Sequence, residues 1–470
     1  MSWALERWYL STGAVLLTAL GGLVVGLGAV AGPAILLAGA IGLVLTALTL
    51  FDLRFGIVLI TVLTFFESLA TFGGGVTFVK LAGAVVILSW LMLAANRGTQ
   101  MRLLFLDQPL YTYSILLFVG WASASVLWAV EPAATTSYVT RLWLVVALLF
   151  VTYSAMREPK HIRLILWAFV VGALSTTLYG LVTGLVGKDD RLIGGISNPN
   201  DLAAALVPAV VLAGTLAATA RGGLERLLAL GSASLFGVAL FLTGSRGGLL
   251  GLAVGLLVAL VVGGALRRYV VLLLLLVASL GVVHFVFVAT PEERTRFTEL
   301  SAEGSSGRTD AWNVGLRVAR DNPVTGVGLD NFGLVEPQYA TGDFGIFEIR
   351  QVLRRVVPHN VYVQLLAELG VVGALAYLSV VVGTLALGLL AIKRLARLGD
   401  WRTELLGRGL FVALVSLLAI FFFHNGLVQK EFWLLAGMLV SLSAFAARAE
   451  QQAAAARAGT TDRATPVVGS

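Results

Sequence analysis

The chain has no cysteine among its 470 residues, so no disulfide, thiolate metal site or cysteine nucleophile can belong to its chemistry. Charge is scarce as well. Asp, Glu, Lys and Arg make up 13% of the residues, against about 25% in a soluble globular domain. No His/Asp/Glu group has metal-ligand spacing, no Walker phosphate loop is present, and no G-x-S-x-G elbow occurs. ATP-driven chemistry within this chain is therefore not expected, and neither is a cofactor. The net charge of +7 is spread along the chain rather than gathered into a nucleic-acid-binding run.

What fills the sequence is apolar: 58% of the residues are hydrophobic. A membrane-crossing helix needs about 20 apolar residues for about 30 Å of hydrocarbon. Runs of that kind fall at 10–30, 33–50, 55–71, 79–96, 110–129, 141–156, 163–187, 201–220, 227–243, 247–264, 269–290, 360–392, 405–423 and 431–447. The fold class they predict is all-α, a polytopic membrane protein of about 14 (12–14) transmembrane helices. The 360–392 run is long enough to tilt or project. Arg7, the first apolar run and Ala29-Val30-Ala31 resemble a cleaved signal. The run exceeds the about 7–15 residues of a signal core, so it reads as the first anchor.

Lysine and arginine placement sets the orientation. With a cytoplasmic N-terminus, the inside loops and tail hold nineteen cations, from Arg7, Arg54 and Arg97 to Arg402, Arg408 and Arg457. The short outside connections hold six: Lys80, Arg141, Lys188, Arg191, Arg246 and Lys430. The predicted topology is N-in and C-in, in a bacterial inner membrane. Four parts follow: helices and short loops over 1–290, a large periplasmic loop over 291–358, C-terminal helices over 359–447, and a disordered cytoplasmic tail over 448–470. Within the loop, Thr309–Arg320 reads as a helix with Trp312, Leu316 and Ala319 on one stripe, ended by Asn322-Pro323. A second short helix is expected from about Phe347 to Val357, with Arg350 and Arg354 on one face and Arg355 beside them.

The residues able to carry chemistry are cations and histidines at the outer surface. Arg191 precedes Ser197-Asn198-Pro199-Asn200-Asp201, a helix start with good N-cap residues and free N–H groups that favour an anion. Arg246 lies in the tight hairpin Thr243-Gly244-Ser245-Arg246-Gly247-Gly248, where burying a cation calls for a partner. A guanidinium binds phosphate through a planar fork. Each arginine also has a plainer reading, as a side chain snorkelling to headgroups or paired with a nearby acid. His359 and His424 stand at outer ends of spans, each followed by Asn. A near-neutral imidazole at such a boundary suits a general base, and a structural hydrogen bond is the alternative. His161, in a cytoplasmic loop, reads as inert, and His284, inside a span, as a helix–helix hydrogen bond. Two R-x₁₀-G matches, Arg296 with Gly307 and Arg317 with Gly328, are expected by chance among 53 glycines.

Five segments resemble the O-antigen ligase/polymerase superfamily: Arg191 to Ala203 (RLIGGISNPNDLA), Thr243 to Gly248 (TGSRGG), Gly307 to Trp312 (GRTDAW), Asn322 to Phe332 (NPVTGVGLDNF) and Pro358 to Gly370 (PHNVYVQLLAELG). They cover roughly the C-terminal half, and the last two beside a long loop are the most specific. The resemblance implies a metal-independent, inverting glycosyltransferase. Its donor would be an undecaprenyl-diphosphate-linked glycan, transferred to an acceptor hydroxyl at the periplasmic face. It casts His359 as the base, with Arg191 and Arg246 on the donor diphosphate. Arg308, Asn200, His424 and the Arg350/Arg354/Arg355 cluster are further substrate-binding candidates. The acceptor is lipid A–core for a ligase or a growing glycan for a polymerase, and the loop's arginine cluster leans toward a phosphorylated acceptor. A protein O-glycosyltransferase would share the motifs. The competing class is a secondary transporter or a flippase for lipid-linked sugars, for which paired broken helices near the midplane would be the sign.

The topology is directly testable in this cysteine-free chain. A cysteine introduced at Ser305 should react with an impermeant reagent in intact spheroplasts, and one at Ala455 should be protected. The reverse pattern would refute the N-in, C-in arrangement.

Overall fold

In hydrocarbon, an apolar segment can satisfy its backbone N–H and C=O groups only by coiling into a helix or closing a barrel. The computed structural model follows the first course. It describes residues 33–66, 71–72, 76–95, 103–184, 186, 191–196, 198–267, 302–339 and 357–461, with scattered positions between 271 and 294. The helices are α1 (Pro33–Phe51), α2 (Leu53–Leu63), α3 (Phe78–Ala95), α4 (Pro109–Ala124), α5 (Pro132–Ala155), α6 (Pro159–Thr183), α7 (Pro199–Ala218), α8 (Gly223–Leu242) and α9 (Arg246–Val262). After them come α10 (Ala302–Asp321), α11 (Phe332–Tyr339), α12 (Val361–Leu398), α13 (Trp401–Ile420) and α14 (Lys430–Thr461). A one-turn helix at Leu104–Asp107 and an antiparallel pair of two-residue strands, Thr71–Phe72 with Val76–Thr77, join them.

The protein is all-α and polytopic. Among the described residues, eight helices are long and apolar enough to cross a membrane, and four shorter apolar helices accompany them. The spans expected at 10–30 and, for the most part, 269–290 lie outside the described residues. Proline at the first helical position opens α4, α5, α6 and α7, where its missing N–H costs nothing and its fixed φ suits the helix.

The centre of the bundle is α7, α13 and α14, whose apolar windows are 83%, 78% and 78% buried. Helix α7 packs on α8 and α13, α13 on α9, and α14 on α5 and α12. Close approach of α9 to α13 depends on two glycines. A Cβ at Gly251 would collide with Ile420, and one at Gly255 with the Ser416 hydroxyl. Because lipid is as apolar as leucine, helices in a membrane associate through such tight packing.

One expectation needs correcting, and one long run has a break. The tail from 448 is not disordered over its first part, because α14 continues to Thr461. The Glu450 carboxylate lies 3.1 Å from Arg394 Nε and 2.8 Å from Arg397 Nη1, both on the extended end of α12. The Ala-rich run beyond it has the highest intrinsic helix propensity. Residues 462–470 lie outside the described set. The long run at 360–392 is also more than one straight helix, because Gly370 breaks α12 with φ 66° and ψ −170°.

Leucine at Gly255 should push α9 off α13 and cost about 1–3 kcal/mol or more, the usual range for overpacking. Alanine at Gly231, which has nothing within 4 Å of its Cβ position, should leave stability unchanged or slightly raised. Thermal unfolding of the detergent-solubilised variants checks this; equal midpoints would show that the α9–α13 contact is slack.

Candidate functional site at one end of the bundle

The start of α7 and the start of α9 come together at the same end of the bundle. Asn198 caps α7, its side chain accepting from the Asn200 N–H at 2.8 Å. Ser245 caps α9, accepting from the Gly248 N–H at 3.3 Å. Before each cap the chain turns tightly, with φ 58° at both Gly194 and Gly244. Arg191 ties the two starts together. Its Nε donates to the Thr243 carbonyl at 2.6 Å, and its Nη2 donates to Asn200 Oδ1 at 3.0 Å. Arg246 is the first residue of α9. Both helices therefore direct positive dipole ends toward the guanidinium groups.

The third cation arrives from the large loop. Arg308 is on α10, where burial, and after it Arg246, pushes its pKa below the ordinary arginine value. Among the described residues no carboxylate pairs with Arg308. One turn further along α10, the Trp312 indole donates to the Pro358 carbonyl at 2.9 Å and packs on Phe423, with ring centroids 6.2 Å apart. Pro358 directly precedes His359, so Trp312 fixes the backbone on which that histidine sits.

His359 has φ 50°, a left-handed conformation that costs energy outside glycine. Residues held in such conformations cluster at functional sites. Asn360, next in sequence, caps α12, accepting from the N–H groups of Tyr362 and Val363. The Val361 N–H donates to the Phe421 carbonyl at 2.9 Å, which docks the start of α12 on the turn after α13. That turn carries Phe423 and His424. His424 Nε2 lies 3.3 Å from Asp201 Oδ1, in the first turn of α7. Burial and Arg308 lower the pKa of His359. Burial, then His359 and Arg308, lower that of His424 to about 4. Both imidazoles are therefore neutral at pH 7, with lone pairs free to accept a proton.

The structure thus brings together six of the sequence candidates: Arg191, Asn200, Arg246, Arg308, His359 and His424. Arg350, Arg354 and Arg355 lie outside the described residues, as does the helix expected from about Phe347 to Val357 apart from Val357 itself. The Asn322–Phe332 motif does not reach the cluster. It docks the loop instead, through Val327 N–H on the Ala367 carbonyl (3.1 Å), Gly328 N–H on the Glu368 carbonyl (2.9 Å) and Val371 N–H on the Pro323 carbonyl (2.8 Å). Gly326, at φ 63°, lies against the Glu368 backbone, and Gly370 against Val324. The buried Glu368 carboxylate accepts from Gln364 Nε2 at 3.0 Å and from the Phe332 N–H at 3.2 Å. His161 is buried at the opposite end of the bundle, its Nε2 accepting from Arg54 at 2.9 Å.

Asp201 and Trp312 join the cluster without being site candidates from the sequence, although both lie in segments that resemble the superfamily.

Residues 231–378 match the family model described as O-antigen ligase. Over that segment the chain is similar to the O-antigen ligase superfamily. The match runs from within α8 to the middle of α12, so it takes in Arg246, Arg308 and His359 but not Arg191, Asp201 or His424. No curated protein matches the chain. The match and the eight long apolar helices support an integral membrane protein with a ligase- or polymerase-type role in O-antigen biosynthesis.

Proposed function

We propose that the cluster transfers a glycan from an undecaprenyl-diphosphate carrier to an acceptor hydroxyl at the periplasmic face, as a metal-independent, inverting O-antigen ligase acting on lipid A–core. The observation that carries this reading is the gathering of Arg191, Arg246 and Arg308 beside two neutral histidines. Three guanidinium groups at the polar end of an apolar bundle call for a multiply charged anion. A departing lipid diphosphate is such an anion, and it develops its charge at the membrane surface. Fixed cations there stabilise the transition state more than the ground state, because charge grows on the leaving oxygen as the bond breaks.

In this reading Arg191 and Arg246 hold the diphosphate and Arg308 closes over it from the loop. His359 takes the proton from the acceptor hydroxyl. Its depressed pKa keeps it neutral, which a base requires, and the loop that holds it also brings the acceptor. Asn200 keeps Arg191 in place. The sequence cluster Arg350/Arg354/Arg355 favours a phosphorylated acceptor and so lipid A–core over a growing glycan. Omitting lipid A–core from the assay separates ligation from polymerisation, since a polymerase would extend its carrier-bound glycan without it.

Purified protein with undecaprenyl-diphosphate glycan and lipid A–core should form product. Arg246→Ala and Arg191→Ala should each lose about 10²–10³-fold in turnover, the range for removing one charge-stabilising donor. His359→Gln should lose about 10²–10⁴-fold. The acid limb of the wild-type pH profile should lie below 6.5, since a lowered histidine pKa keeps the base neutral to lower pH. Arg308→Gln removes one cause of that lowering, so its limb should move to higher pH. Full activity in both arginine variants would refute the diphosphate clamp. An unshifted limb in Arg308→Gln would refute His359 as the base.

A further inference from the structure

Glycan transfer to a hydroxyl releases a proton as well as a lipid diphosphate. The acceptor O–H bond breaks, its oxygen bonds to the anomeric carbon, and the bond from that carbon to the phosphate oxygen breaks. The electron pair leaves on the diphosphate. On the reading above, the proton passes to the neutral imidazole of His359, where the new cation faces Arg308 with Arg246 behind it. Such a proton has to be moved on before the next acceptor arrives.

The contact between His424 and Asp201 offers a way out. The two belong to different elements, the turn after α13 and the first turn of α7, yet Nε2 and Oδ1 are 3.3 Å apart. A carboxylate in the first turn of a helix is favourable by itself, but that does not explain why a buried imidazole from another element is set against it. Exposure rises along the pair, from 13% for the His424 side chain to 40% for Asp201. His359 and His424 also sense each other, since charge on the first opposes protonation of the second. A charge on one ring therefore disfavours a charge on the other.

We propose that Asp201 and His424 form a proton-release pair: His424 receives the proton that His359 takes from the acceptor and passes it along the Asp201 side to water, while Asp201 positions the His424 ring. This rests on the glycosyl-transfer reading. His424 is a weak base in its site, which suits a relay, because a strong base would retain the proton. The charged groups acting on it are His359 from the start of α12, Arg308 from α10 and Asp201 from α7.

The test uses the full chain in lipid nanodiscs with undecaprenyl-diphosphate glycan and lipid A–core. Asp201→Asn and His424→Gln should each lower kcat about 10–100-fold with donor KM within about twofold, because the pair acts after binding. Adding imidazole, a small diffusible base, should restore a substantial part of that loss and leave the wild type unchanged. Asp201→Glu keeps the carboxylate and should turn over without needing imidazole. If one neutral variant does not fold, the other carries the test. Wild-type rates in both variants, or losses that imidazole does not touch, would overturn the relay and leave a packing contact. A wild type that transfers no glycan would overturn the functional reading and the relay with it.

Discussion

Positive charge at the polar end of an apolar bundle is costly to hold, and the structure gathers three guanidinium groups there. Arg191 is held by a carbonyl and an amide oxygen, both neutral. Arg308 is crowded by Arg246. The starts of α7 and α9 add their dipoles to the same spot. On the proposed reading, a bound diphosphate would offset the cost of holding these groups together. The opposite end of the bundle shows the contrast. There Arg163 pairs with Glu225, Arg408 with Glu404, and Arg394 and Arg397 with Glu450.

The loop has to deliver Arg308 and His359 to that point, and the architecture divides the work. The Asn322–Phe332 turn fixes the loop to α12 by backbone hydrogen bonds, aided by the break at Gly370 and the buried Glu368. Trp312 then joins α10 to Pro358 and Phe423. Anchoring of the loop and the side chains of the cluster thus rest on separate segments.

The spans were legible because crossing hydrocarbon demands long apolar runs, and those runs stand out against 13% charge. Arg246 and His359 stood out as candidates through the segments that resemble the superfamily, since each also has a plain structural reading. Asp201 and His424 were legible as residues but not as a pair, since nothing in their local sequence announces a contact across three-dimensional space. Trp312 was hidden by its apolar character, which is the same in a core residue and in one that donates to a carbonyl. The tail misled because its composition, rich in Ala, Gln and Arg, reads as solvated chain, while Glu450 between two arginines of α12 and the helix propensity of alanine order its first part. Span count was the weakest estimate, since short apolar helices such as α2 and α9 meet the hydropathy of a crossing without its length.

The central claim is that the cluster is a diphosphate site, and binding tests it more directly than turnover. Undecaprenyl diphosphate without sugar should bind the purified protein in nanodiscs, measured by native mass spectrometry. Replacing Arg191 and Arg246 together by alanine should weaken that binding by about 100-fold or more, since each charge-assisted contact is worth about 1.5–3 kcal/mol. Undecaprenol, which has the same tail and no diphosphate, should bind both proteins equally. Equal affinity of wild type and double variant for undecaprenyl diphosphate would contradict the account.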